Sequence, residues 1–309
     1  MHPTTPSKPS AGLLPVLCLL TTATLWGLSW YPLRIAEQAG VAGVWTVLLV
    51  FGTAGSVGFI VFIKHLPQFL RAPWLLVMMA LANAWCNIAF VLAILEGNVV
   101  RVILLFYLSP VWTTLLGRLV LGERLSRLAL ITLVVAMIGA MIMLWDPSLG
   151  FPWPQDGSDW LAISSGLAFS IANVMVRTLQ NVSVQMKTLS VWIGVAAVAA
   201  VWILLAHIPV PAVAASVFGW TMTIGMTMIM IMTITVQYGV THMPVHRSAV
   251  ILLFELVAAT VSSQLLSDEV IQLKEWLGGV LIIVGAYLSA RSYMDHVLEE
   301  ELPEAGDKS

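Results

Sequence analysis

Arg101 to Glu123 reads RVILLFYLSPVWTTLLGRLVLGE, and Arg247 to Glu269 reads RSAVILLFELVAATVSSQLLSDE. Each stretch opens on an arginine, closes on a glutamate 22 residues later and is mostly apolar between them. A helix crosses a hydrocarbon core about 30 Å thick with roughly 20 such residues. Both stretches are therefore predicted to span a membrane. A constant offset of 146 also lays Val99 on Val245, Val111 on Val257, Thr114 on Thr260, Val134 on Val280 and Gly139-Ala140 on Gly285-Ala286. Apolar coincidences are cheap in an apolar chain. The matched arginine and glutamate are not.

Comparable runs occur along the whole chain, near 13–33, 41–63, 73–95, 98–117, 128–145, 159–177, 188–206, 216–239, 247–266 and 273–291. Only 10% of the 309 residues are charged and 59% are hydrophobic. A soluble protein keeps about a quarter of its residues charged, so most of this surface faces something other than water. In lipid every backbone group must pair within its own segment, which leaves helices as the spanning element for runs of this length. The first run has Lys8 as its only preceding cation and no small-x-small site before Tyr31, Pro32 and Arg34, so it reads as a span rather than a cleaved leader. Net charge is −2, which points to no nucleic-acid partner. Cys18 and Cys86 both lie in apolar runs and suggest no disulfide scaffold.

The polar stretch from Asp146 to Asp159 divides the chain into halves of five spans. An odd number of spans per half inserts the second copy upside down. The expected fold is all-α and integral to the membrane, ten transmembrane helices as two inverted five-helix repeats. Its segments are a tail at 1–11, a first repeat at 12–145, a linker at 146–158, a second repeat at 159–292 and an acidic tail at 293–309. Inverted repeats are a signature of secondary transporters, whose site lies near the midplane between the halves. With the N-terminus inside, Lys8, Lys64, Arg71, Arg118, Arg124, Arg127, Arg177, Lys187, Arg247, Arg291 and Lys308 fall inside, against Arg34, Arg101 and Lys274 outside. This bias predicts two cytoplasmic termini and a periplasmic linker.

Glu255 is the one carboxylate well inside a predicted span, eight residues or about 12 Å along the helix from Arg247. An ionised acid at that depth costs about 2.5–3.5 kcal/mol on insertion scales. It must face a cavity, pair with a partner or stay protonated, so it is a candidate proton carrier; the plainer reading is a protonated acid bonded to a neighbouring helix. Ser248 and Ser262 stand seven residues to either side, a polar stripe suggesting a water-accessible wall. Asn83 and Asn87 share a helical face, and with Asn173 and Gln237 can hold a substrate or join helices. Trp26, Trp30, Tyr107, Trp112 and Tyr238 can line an apolar cavity or simply pack. Glu96 and Arg101 flank one mouth, with His242, His246 and Arg247 at the symmetry-related place; they are candidate gate charges, Arg247 equally a positive-inside anchor. The methionines at 222, 226, 228, 230 and 232 suit irregular packing, and Gly52, Gly55 and Gly58 suit close helix contact.

No catalytic constellation is visible. No second buried carboxylate accompanies Glu255, and Pro244 interrupts the metal-like spacing of His242 and His246. No cofactor or metal is expected. The partners are a small-molecule substrate, protons in the coupled reading, and membrane lipid.

Leu104 to Ser126, LLFYLSPVWTTLLGRLVLGERLS, resembles the fourth-span signature of the EamA branch of the drug/metabolite transporter superfamily. The first-span motif Leu25 to Trp30, LWGLSW, is similar to that family too. The resemblance runs from about residue 12 to 292. It implies a central cavity and export of small metabolites, amino acids first, across a bacterial inner membrane. An uncoupled facilitator and a small-drug efflux pump are the alternatives within transport, and a non-transporting receptor or assembly factor is the alternative outside it. Members often carry Glu-Pro in the fourth and ninth spans. Here the fourth has Ser109-Pro110 and the ninth has Glu255-Leu256, each keeping one member of the pair.

Overall fold

Pro110 has no N–H to offer the carbonyl of Phe106, and its ring crowds that carbonyl, so the fourth span cannot run as one helix. It breaks into α5 (Val99–Phe106) and α6 (Ser109–Val120). The ninth breaks at the equivalent place, Leu253, into α11 (Val245–Leu252) and α12 (Phe254–Leu266), without a proline. These breaks sit in a bundle of ten candidate membrane spans, with no strand among the described residues. The structure, a computed structural model, describes residues 10–41, 43–147, 153–267 and 272–301. Glu269, most of the N-terminal tail, part of the linker and the end of the acidic tail lie outside them.

The first span is α1 (Ser10–Leu28) and α2 (Trp30–Gln38), and the second is α3 (Val44–Val61). A 3-10 segment (Ile63–Arg71) leads to α4 (Pro73–Glu96); α7 (Arg127–Leu144) closes the first half. In the second half α8 (Gly157–Thr178), α9 (Val184–Leu205) and α10 (Ala215–His242) precede the broken span, and α13 (Leu273–Glu301) follows it. The first and eighth spans are longer than the hydropathy runs predict. Polar residues start several helices, because a side-chain oxygen can take one of the orphan amides of the first turn. Asn98 accepts from the Arg101 N–H, Ser126 from Ala129, Asp156 from Asp159 and Ser183 from Met186.

The halves pack as exchange partners. α4 lies along α8 as α1 lies along α10, and α4 meets α9 as α10 meets α3. α12 crosses α1 where α6 crosses α8. The pairs α3–α9 and α7–α13 are their own counterparts. With five spans in each half, the second repeat is the first turned over. Below, the near side is the one where the first span begins.

Small residues set the closest crossings. A Cβ on Gly139 would stand 2.6 Å from the Gly278 carbonyl, so α7 and α13 meet backbone to backbone. Of the three glycines on α3, only Gly58 is tight, seated on the Trp192 ring. A Cβ on Gly52 or Gly55 would meet nothing nearer than 3.9 or 3.6 Å.

Candidate functional site

Glu255 stands in the first turn of α12, just past the break at Leu253. The start of a helix favours a negative charge. Tyr107 caps α5 at the break of the other repeat, and its phenol interacts with the Glu255 carboxyl. The two interruptions thus bring an acid from one half against a phenol from the other. Gly27 of α1 presses on the same turn, where a Cβ would lie 2.6 Å from the Glu255 carbonyl oxygen, the Ala258 Cβ and the Ala259 nitrogen. Ser109, the repeat counterpart of Glu255, has its carbonyl held instead by the Ser170 hydroxyl of α8 at 2.9 Å.

Aromatic rings continue from this pair. Tyr107 meets Phe106 edge-on at 5.5 Å, and Phe106 meets Phe90 at 5.0 Å and Phe169 at 5.9 Å. Phe169 then takes the edge of Trp26 at 5.7 Å. These rings come from the first, third, fourth and sixth spans. Four of them and Glu255 are only half-buried; Tyr107 is buried. Cys86 of α4 lies within electrostatic reach of Glu255, and Ser165 bonds its carbonyl at 2.8 Å. A separate apolar cleft of about 50 Å³ between α5 and α7 also touches Tyr107, but its leucine and methionine lining suits no polar ligand.

The remaining sequence candidates scatter. Asn83 and Asn87 share a face of α4, yet their amides donate to the carbonyls of Met79 and Asn83, both at 2.9 Å, rather than joining helices. Asn173 is buried, as is Gln237, whose Oε1 has no partner among the described residues. Both stand toward the near side. Tyr238 stacks on His242 at 4.1 Å, also at the near end, away from the central rings. Trp30 stands beyond the break at Ser29 and donates to Ser262 at 2.9 Å, with Arg34 over its face.

The polar stripe expected beside Glu255 is not a wetted wall. Ser248 and Ser262 are 1% and 4% exposed. Ser248 bonds the Pro244 carbonyl, and Ser262 bonds that of Gly27 at 3.0 Å, so Ser262 clamps the first span to the ninth. A hydroxyl in lipid finds a carbonyl sooner than it waits for water.

The charges at the mouths also pair differently from their sequence neighbours. On the far side Arg101 meets Asp159, Nε to Oδ2 at 2.8 Å, and donates to the Trp153 carbonyl at 2.6 Å. Glu96 is exposed. Asp159 is a second buried carboxylate, its side chain 1% exposed, but it lies at a span end and forms no dyad with Glu255. On the near side Glu123 meets His246 at 2.6 Å and takes the Val245 N–H at 2.9 Å. Burial pushes the Glu123 carboxyl up, but these two hydrogen bonds outweigh it and hold the group below the usual carboxylate range. Arg247 is 7% exposed, too buried for a plain surface anchor, and lies within electrostatic reach of Glu123 and Tyr293. His242 is exposed and bonds the Tyr238 carbonyl; Pro244 separates it from His246, which starts the next helix. Among the described residues, each side of the bundle thus carries one acid–base contact joining the two repeats.

Sequence reasoning missed Phe90, Phe106 and Phe169, which carry no signal in an apolar chain. Asp159 was visible as a linker boundary and Glu123 as a repeat marker, but neither could be paired without coordinates.

No curated protein matches the chain. A solved structure, described only as the crystal structure of a protein, superposes with a TM-score of 0.71 at 19% identity. The alignment covers 91% of this chain and 98% of that one, a likeness that speaks to the fold alone. The EamA-like transporter family matches residues 13–145 and 157–291, one match per repeat. The chain is a multi-pass membrane protein belonging to the EamA-like transporter family, whose members carry small molecules across membranes.

Proposed function

We propose that this chain is a proton-coupled exporter of small metabolites in a bacterial inner membrane, with Glu255 as the group that exchanges protons for substrate. The observation that carries the reading is the contact of Glu255 with Tyr107 across the two broken spans. Transporter sites form where discontinuous helices of inverted repeats face each other near the midplane. An ionisable residue at that depth is costly and by default marks a functional site. The charge bias assigns the near side to the cytoplasm, with both termini there.

In this scheme Arg101–Asp159 closes the periplasmic mouth and Glu123–His246 the cytoplasmic one. Alternating access opens one of these contacts while the other holds. The family resemblance implies amino acids, a class whose carboxylate would meet Glu255 at the site. Export, rather than uptake, follows from that resemblance.

Glu255→Gln keeps the side chain's shape and removes its titration. Purified protein in liposomes with an imposed pH gradient should lose concentrative transport in this variant while its gel-filtration profile stays unchanged. Gradient-driven transport at the native rate by a folded Glu255→Gln protein would defeat the coupling.

A further inference from the structure

Charge varies with depth across the ten spans. Arg34 and Arg291, each four residues from the end of its span, are the deepest cations among the described residues. Glu255 lies ten residues from Val245 and eleven from Leu266. Among the described residues, the middle of the bundle therefore holds one acid and no basic group.

The neutral groups around it lean the same way. The ring chain Trp26, Phe169, Phe106, Phe90 and Tyr107 supplies π faces with negative centres. A carboxylate and aromatic faces recognise positive charge. A ligand carboxylate would find no cation there and would face Glu255.

We propose that the space between the repeats takes a monovalent organic cation on an apolar or aromatic body and rejects substrates bearing a carboxylate, zwitterionic amino acids included. The inference rests on Glu255 being the substrate-facing group, as argued above. Placing an unpaired charge at mid-membrane depth weakens binding on the order of a hundredfold.

Three ligands of one size separate the possibilities: benzyltrimethylammonium, phenylalanine and benzylsulfonate. The ammonium and the sulfonate are permanently charged and phenylalanine is a zwitterion at neutral pH, so none leaks freely through protein-free liposomes. Full-length protein in liposomes with an imposed pH gradient should move the ammonium, with phenylalanine about a hundredfold slower and the sulfonate at background. Phenylalanine moving as fast as the ammonium, or no movement of the ammonium, overturns the inference. If phenylalanine moves in a Glu255-dependent way, the coupling reading stands and this one falls. If the ammonium moves equally well in folded Glu255→Gln protein, the coupling reading falls; binding of the ammonium in place of phenylalanine, measured without a gradient, then upholds the selectivity, and its absence overturns it.

Discussion

Arg101 and Asp159 tie the repeats at the far side, and their separate removal should differ in a way the geometry dictates. Arg101→Met leaves the Asp159 carboxylate, 1% exposed, with only the Gln155 N–H at 2.8 Å and the start of α8 to hold its charge. Removing one partner of a buried pair costs about 3–5 kcal/mol, and the backbone donor places this case near the lower end, at about 3 kcal/mol. Asp159→Asn keeps an acceptor for both Arg101 and Gln155. The remaining guanidinium is 11% exposed and keeps the Trp153 carbonyl, so about 1–2 kcal/mol is expected. The double variant carries no orphaned charge and should lose less than the sum, with a coupling of about 1–3 kcal/mol. At roughly 2–4 °C per kcal/mol, Arg101→Met should melt about 6–12 °C below the native protein. Intrinsic fluorescence of the 13 tryptophans in detergent reads this directly. Strictly additive shifts, or Arg101→Met no worse than Asp159→Asn, would refute the reasoning.

Gly27→Ala puts a methyl 2.6 Å from three atoms of α12 and should destabilise by about 1–3 kcal/mol or more while displacing the Glu255 turn. Gly52→Ala meets nothing nearer than 3.9 Å and should stay within about 1 kcal/mol of native, so equal shifts would contradict the packing. The Glu123 carboxyl lies below its ordinary value in the folded chain, so it contributes stability at and above that value and loses it as pH falls through the folded one. Melting temperature should therefore drop on acidification below the usual carboxylate range, and Glu123→Gln should flatten that drop; an unchanged acid limb in the variant would place the effect elsewhere.

The repeat was legible because Arg101, Glu123, Arg247 and Glu269 are rare charges in an apolar background, so their spacing carries information. The mid-membrane acid was legible for the same reason. The break in the fourth span could be read from Pro110, whereas the one at Leu253 has no local cause in the sequence. The ring cluster was hidden because phenylalanines in lipid-facing and cavity-facing positions look alike along a chain.

By itself the sequence determined ten helical spans, the inverted duplication and one costly acid near the midplane. Each follows from short-range physics: the thickness of the bilayer, the demand of every backbone amide for a partner, and the penalty on an unpaired charge. The tertiary structure alone decided which groups meet. Tyr107 with Glu255, Arg101 with Asp159, Glu123 with His246 and Ser262 with Gly27 each join two different spans. Such pairings depend on how rigid helices rotate and cross, which is set by small residues at the contacts rather than by periodicity within any one span.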